Sequence, residues 1–169
     1  MNAILPERVA SIAESKVGLK ESPPGSNRGP EIAEFFAADS YDPNGPAPGD
    51  DGYPWCAAFV DRVVQLAMAG REWTFQRPTT PGAWDLERWS LAQDNSTWTL
   101  RPPGRGIQRG DIVIFKFSHV GIATSGPDKD GWITTVEGNT NKAGEREGTM
   151  VLAKRRHITQ IRSRIRFRV

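Results

Sequence analysis

The stretch Gly52–Val64, GYPWCAAFVDRVV, joins a loop rich in proline, glycine and aspartate to an apolar segment with helical spacing. It contains Cys56, the only cysteine of the chain. A thiol at a helix N-terminus lies at the positive end of the helix dipole, which favours the thiolate. A lone cysteine is also a common small core residue. The stretch by itself therefore leaves two interpretations open, a nucleophile and a buried structural thiol.

The residues after Cys56 predict the helix that carries it. Apolar residues follow at the spacing of one helix face, namely Phe59, Val60, Val63, Val64 and Ala67. This periodicity predicts a helix that begins near Pro54 or Trp55 and ends by Gly70. Cys56 is then at the top of the buried face, so its thiol points toward whatever packs on this helix.

Length and composition are those of a soluble globular protein: 169 residues, 37% apolar, 25% charged, with a net charge of +2. We expect a single domain over residues 1–169. One cysteine excludes an internal disulfide, and no apolar stretch is long enough for membrane insertion. The N-terminal segment lacks the apolar run of a signal peptide, so we expect synthesis in the cytoplasm and release without a cleaved signal.

Helical patterns occupy the first half of the chain and strand patterns the second. Helices are predicted over Pro6–Val17, from Pro30, over the Cys56 segment and over Ala83–Leu91, and strands over Asp111–Phe117, His119–Thr124, Trp132–Asn139, Met150–Arg156 and Ile161–Val169. Helices followed by consecutive strands predict an α+β fold, with N-terminal helices on a C-terminal antiparallel sheet of about five strands.

Arginines alternate with mostly apolar residues in the last predicted strand, at Arg162, Arg164, Arg166 and Arg168. This alternation predicts a half-buried strand with a solvated basic face. A basic face could bind nucleic acid, but no aromatic side chain shares it to stack on bases. We therefore expect no nucleic-acid partner.

A base for Cys56 has to be one of the two histidines, His119 or His157. His157 lies in a cationic run that is typical of a surface. When the hairpin is folded about Asp128 and Lys129, His119 comes opposite or adjacent to Glu137, and strand alternation places Asn139 on the same face. A thiol, an imidazole and a residue that orients the imidazole are the parts of a cysteine hydrolase. Glu137 and Asn139 are both candidates for the orienting residue.

Four motifs resemble those of CHAP domains, the cysteine, histidine-dependent amidohydrolases/peptidases, and occur in the same order. They are Tyr53–Val60 (YPWCAAFV), Gly110–Phe115 (GDIVIF), His119–Ile122 (HVGI) and Val136–Thr140 (VEGNT). The resemblance implies a papain-like CHAP fold with Cys56 as nucleophile and His119 as general base and then acid. It further implies that Glu137 orients His119 and that Asn139 completes the polar surroundings of the site.

Some CHAP lysins bind calcium through an Asp-rich loop before the cysteine and an aspartate two residues after it. Asp50 and Asp51 precede Cys56 here, but position 58 is alanine. A hard cation needs about six to eight oxygen ligands, so we predict no calcium site. The chain has no Cys/His cluster for zinc, and we predict no metal and no cofactor.

The resemblance implies a monomeric enzyme that cleaves an amide bond of bacterial peptidoglycan, as an N-acetylmuramoyl-L-alanine amidase or an endopeptidase. A phage or prophage lysin is the leading interpretation. A secreted antibacterial effector of the same chemistry and a non-catalytic wall-binding module are the alternatives. Indole and phenol rings suit saccharide and peptide contacts, so Tyr53, Trp55 and Trp84 are the candidate substrate-binding residues, although tryptophans of this region could equally be core.

Overall fold

The computed structural model describes residues 4–39, 53–93, 97–101, 103–104, 106–145 and 147–168. Within them the helices are α1 (Leu5–Ser15), α2 (Pro30–Phe36), α3 (Cys56–Met68) and α4 (Asp85–Leu91). The strands are β1 (Thr97–Leu100), β2 (Ile112–Phe115), β3 (Val120–Ala123), β4 (Trp132–Thr140), β5 (Met150–His157) and β6 (Ile161–Phe167), with a short 3₁₀ turn at Ile158–Gln160. The expected α+β class is confirmed.

The described strands form one antiparallel sheet in the order β1-β6-β2-β3-β4-β5. β1 is an addition to the expected set, because its segment has no clear alternation. It forms by pairing with β6, where Thr97 lies opposite Phe167. The neighbours β2, β3 and β4 occupy the middle of the sheet and carry the last three of the four sequence motifs.

Helix α3 is the centre of the core. Its apolar face, including Phe59, Val60, Val63 and Val64, is fully buried. It packs between α1 and α2 on one side and strands β3 and β4 on the other. The predicted helix is confirmed to within two residues at each end, and its first residue is Cys56.

The arginine face of β6 differs from the solvated face predicted for it. Arg164 is buried and, together with Arg166, contacts the carboxylate of Asp111 at 3.1 and 2.7 Å. Arg162 contacts Glu87 of α4 at 3.2 Å. Asp111 directly precedes β2, which pairs with β6, and Glu87 lies in α4, which contacts β6, so alternation within one strand could not reveal these partners. The arginines are therefore largely paired within the protein.

No helix in the described ranges combines the length and the apolarity needed to cross a bilayer.

Candidate active site

Trp55 holds the start of α3 in place. Its side chain is 0% exposed, and its Nε1 donates a hydrogen bond to Oε1 of Glu21 at 2.9 Å. The ring also stacks on Phe35, with 5.5 Å between centroids. The sequence-based expectation that Trp55 contacts substrate is therefore not supported, because an indole enclosed on all sides anchors the helix rather than a ligand.

Cys56 follows directly as the first residue of the helix and is 7% exposed. The first-turn N–H groups of a helix have no intrahelical acceptor, and no side chain of the described residues caps this helix. The thiol is therefore at the first helical turn, near its N–H groups and the positive end of the helix dipole. Both favour negative charge at this point.

His119 lies just before β3, at the end of the tight turn that joins β2 to β3. The amide of Phe115 donates to the carbonyl of His119 at 2.9 Å, and Ser118 has φ 55° to close the turn. The imidazole stacks beside a pair of phenylalanine rings, with the centroids of Phe115 and Phe117 at 5.8 and 5.9 Å from its own and 5.1 Å from each other. Its Nε2 is 3.0 Å from Oε2 of Glu137, and Nδ1 has no hydrogen-bond partner in the described residues.

The β3–β4 register explains how His119 and Glu137 meet. Ile122 lies opposite Val136, which places Gly121, rather than His119, opposite Glu137. His119 is the diagonal neighbour, in agreement with the expectation that it would be opposite or adjacent. A Cβ on Gly121 would lie 2.7 Å from Cγ of Glu137. The glycine therefore leaves the space through which the carboxylate reaches the imidazole.

The carboxylate of Glu137 is fully buried and fully hydrogen-bonded. In addition to its contact with His119, it accepts hydrogen bonds from Nε and Nη2 of Arg156 at 2.8 and 2.6 Å and from the hydroxyl of Thr135 at 2.6 Å. Burial by itself would raise the pKa of Glu137, but the hydrogen bonds from Arg156 and His119 lower it to about 2. Glu137 is therefore ionised throughout the physiological pH range.

Arg156 is a residue that the sequence analysis missed. It belongs to the cationic run before His157, for which a surface position was expected, yet it is 5% exposed, and its guanidinium lies over the rings of Phe115 and Phe117 at 5.1 and 5.3 Å. Folding β4 on β5 would have placed it on the face of Glu137, because Glu137 pairs with Leu152 and Ile133 pairs with Arg156. A planar fork that binds both carboxylate oxygens fixes the orientation of Glu137.

The protonation of His119 follows from these contacts. Burial would lower the pKa of the imidazole, but the nearby Cys56 sulfur and the Glu137 carboxylate bound to Nε2 outweigh burial and raise it to about 9. The sulfur of Cys56 is thus within electrostatic reach of the ring. At neutral pH the imidazole is therefore a cation that interacts with both the Glu137 carboxylate and the Cys56 sulfur.

Asn139 lies at the edge of this arrangement. Its side chain is 0% exposed, yet neither Oδ1 nor Nδ2 has a partner within the described residues. The neighbouring Gly138 packs against Trp55 and Phe59, so Asn139 is beside the start of α3. Its φ is 54°, and the β4–β5 register shifts between Glu137 and Thr140. Strand alternation, which was expected to place Asn139 on the face of Glu137, is therefore interrupted just before it.

A cysteine, a histidine and a glutamate in these positions prompt a comparison with known families. The family model for the CHAP domain matches residues 48–139, just over half of the chain. The chain belongs to the CHAP domain family. The match includes Cys56, His119, Glu137 and Asn139.

A solved structure gives the same architecture for this CHAP domain. This chain is similar to the crystal structure of a wild type endolysin, LysIME-EF1, with a TM-score of 0.57 and 17% sequence identity. The alignment covers 97% of this chain and 64% of the endolysin chain, so the CHAP domain spans less than two thirds of that protein. A search of the curated proteins finds no match. At this identity the likeness concerns the fold.

The other two candidate substrate-binding residues lie apart in the CHAP domain. Tyr53 is 55% exposed and precedes Cys56 by three positions. Trp84 is 43% exposed and lines a cavity whose lining includes neither Cys56 nor His119. Tyr53 is therefore exposed and close in sequence to Cys56, whereas Trp84 belongs to a separate cavity, and a contact of either residue with substrate stays a prediction.

The calcium prediction concerns Asp50 and Asp51, which lie outside the described residues. Ala58 is buried in α3 and has no oxygen ligand to offer. In the part of the chain that is described, no three His, Cys, Asp or Glu side chains are grouped as a metal site. The absence of a metal remains a prediction, and no catalytic step here depends on one.

Proposed function

We propose that this CHAP domain hydrolyses an amide bond of bacterial peptidoglycan by covalent catalysis at Cys56. The observation that carries the proposal is the buried imidazole of His119, which is bound to Glu137 through Nε2 and has Nδ1 left for exchange with the thiol. Family membership supports the substrate class, and the arrangement supports the reaction type.

In the first half of the reaction the Cys56 sulfur attacks the amide carbonyl carbon. The electron pair of the carbonyl moves to oxygen, and the N–H groups at the start of α3 are placed to stabilise that oxyanion. The oxyanion collapses to a thioester as the C–N bond breaks. Imidazolium His119 gives its Nδ1 proton to the leaving amine, so the amine departs neutral.

In the second half, neutral His119 removes a proton from water, and the resulting hydroxide attacks the thioester. The carboxylic acid leaves, and the thiolate–imidazolium pair is restored. Glu137 keeps its charge throughout, and its bond to Nε2 holds the ring with Nδ1 toward the sulfur. Asn139 has an amide free to donate to substrate, which suits it to a polar contact near the reacting carbonyl.

The same chemistry serves an N-acetylmuramoyl-L-alanine amidase and an endopeptidase, and both stay within the proposal. A phage or prophage lysin is the proposed biological role, and the endolysin of similar fold supports it. Mass spectrometry of the fragments released from peptidoglycan would identify the bond that is cut.

The test is the variant Cys56→Ala. It removes the sulfur and little volume, so the circular dichroism spectrum should match that of the parent, while clearing of a purified peptidoglycan suspension should stop. Clearing that persists in a folded Cys56→Ala protein would show that another group is the nucleophile.

A further inference from the structure

A concave site lies outside the candidate catalytic residues. It is a cavity of about 580 Å³, within the size range of ligand sites. Ile158 and Ile161 supply part of its apolar lining, and Trp84 forms an aromatic wall. The charged residues of the lining are Arg101, Lys116 and Arg162. None of the four candidate catalytic residues lines it, and we call it the Trp84 cavity.

The charges of the Trp84 cavity have one sign. No carboxylate among the described residues lines it, and Glu87, just outside, contacts both Arg101 and Arg162 at 3.5 and 3.2 Å. Lys116 is exposed and makes no ion pair with any carboxylate that the structure describes. One carboxylate therefore faces three cations, and the site attracts anions.

Trp84 is held in a fixed orientation. Its Nε1 donates to the carbonyl of Phe115 at 3.2 Å, and the guanidinium of Arg162 lies 4.6 Å from the ring centroid. The indole is nevertheless 43% exposed, which is unusual for so large an apolar side chain. A rigid exposed indole loses little entropy when a flat apolar surface, such as the face of a sugar ring, packs on it.

We propose that the Trp84 cavity binds an anionic saccharide of the bacterial wall, with the sugar on Trp84 and the negative group at Lys116 and Arg162. The proposal rests on the proposed function for the wall as its source. The negative group is a phosphodiester of a wall glycopolymer or a carboxylate of peptidoglycan itself. Lys116 follows Phe115, whose ring stacks on His119, so a bound wall strand is held next to the catalytic turn.

A nucleic acid would meet the same charges but fits the site less well. Proteins that bind single strands stack successive bases on several aromatic residues along a basic groove. The described lining of this cavity has one indole, and neighbouring arginines of β6 are paired with Asp111.

Binding is measured with full-length protein carrying Cys56→Ala, so that hydrolysis does not disturb it. The readout is the dissociation constant for purified walls in a pelleting assay, before and after removal of phosphodiester-linked polymers with hydrofluoric acid. Adding Trp84→Ala should weaken binding about tenfold, and adding Lys116→Gln about three- to fivefold. Lys116→Arg should bind like the parent. Lys20→Gln, at an exposed lysine outside the cavity, is the charge-matched control and should also bind like the parent.

Lower affinity for acid-treated walls would identify the phosphodiester as the ligand. Unchanged affinity would identify the carboxylate of peptidoglycan as the ligand. Unweakened binding by Lys116→Gln would overturn the proposal even if Trp84→Ala fails to fold. An equal loss of wall affinity in Lys20→Gln would overturn the proposal in favour of non-specific charge attraction. Displacement of the walls by a short DNA strand would overturn it in favour of a nucleic-acid ligand. Failure of the proposed function would appear separately, as wild-type protein that binds walls without cleaving them.

Discussion

Cys56 and Glu137 together set the charge of His119, and the Glu137 carboxylate is buried, ionised and bound to Nε2. The raised pKa of His119, about 9, means that the imidazolium needed to protonate the leaving amine exists at neutral pH and is lost as the pH rises through 9. The contact also contributes stability that is fully present below the usual imidazole pKa and disappears over the same alkaline range.

The first prediction concerns Glu137→Gln. Loss of the carboxylate should lower the pKa of His119, so the alkaline limb of the kcat/KM–pH profile should move from about 9 toward neutrality. Activity at pH 7 should fall about 10²- to 10⁴-fold, the range seen when such an orienting carboxylate is neutralised. The measurement is the pH dependence of fragment release from purified peptidoglycan.

The control for this variant is a second substitution, made at Arg156. Glu137→Gln leaves the guanidinium of Arg156 buried without its anion, which costs about 3–5 kcal/mol of folding free energy. The double variant Glu137→Gln/Arg156→Met removes both charges and should recover most of that stability while keeping the displaced alkaline limb. A limb that returns to about 9 in the double variant would contradict the role assigned to Glu137.

The second prediction separates the side chain of Asn139 from its backbone. Asn139→Gly adopts φ 54° without strain but lacks the amide, so it should fold normally and lose about tenfold to a hundredfold in kcat if the amide contacts the reacting carbonyl. Asn139→Ala lacks the amide and is also strained at this φ, so it should additionally lose about 1 kcal/mol of stability. Full kcat in Asn139→Gly would remove Asn139 from the catalytic machinery.

At the scale of elements, the β3–β4 hairpin brings His119 to Glu137, and Gly121 is the position on which this contact depends. We predict that Gly121→Ala pushes Glu137 away from His119, because the added Cβ has no room at 2.7 Å. Unfolding free energy should fall by about 1–3 kcal/mol, and kcat should fall with it. Val120→Ala, in the same strand, is a control that destabilises by loss of packing and leaves this contact in place. Equal kcat in both variants would contradict the steric account.

Helix α3 carries a second feature below its catalytic end, the buried carboxyl of Asp61. Burial first, and then the nearby charge of Asp39, raise its pKa well above the usual value, while Arg77 and the backbone of Thr80 act in the opposite direction. Burial likewise raises the pKa of Asp39 to about 6. Folding therefore takes up protons, and stability decreases as the pH rises from about 4 toward neutrality.

We predict that the melting temperature of Asp61→Asn decreases less between pH 4.5 and pH 7.5 than the melting temperature of the wild-type protein does. Asp130→Asn, at an exposed aspartate, should keep the wild-type pH dependence. His119 and Glu137 are common to all three proteins and cancel in the comparison. Identical pH dependence for Asp61→Asn and the wild type would mean that Asp61 is ionised in the folded state.

At the scale of the whole molecule, what could be predicted from the sequence depended on short-range pattern. The helix of Cys56 and the hairpin of His119 and Glu137 follow from local periodicity and one turn. The burial of Trp55 depends on Glu21, which is 34 positions away, and β1 exists only because β6 returns to pair with it. Arg156 was missed for the same reason, since its face is defined by pairing across a second hairpin.

We propose that the thiol of Cys56, the imidazole of His119 and the carboxylate of Glu137 act together to break amide bonds in the bacterial wall. The most direct test counts the new chemical ends in purified peptidoglycan after digestion. Wild-type protein should create new primary amino groups without new reducing sugar ends, and folded Cys56→Ala should create neither. Reducing ends without amino groups, or amino groups released equally by Cys56→Ala, would contradict it.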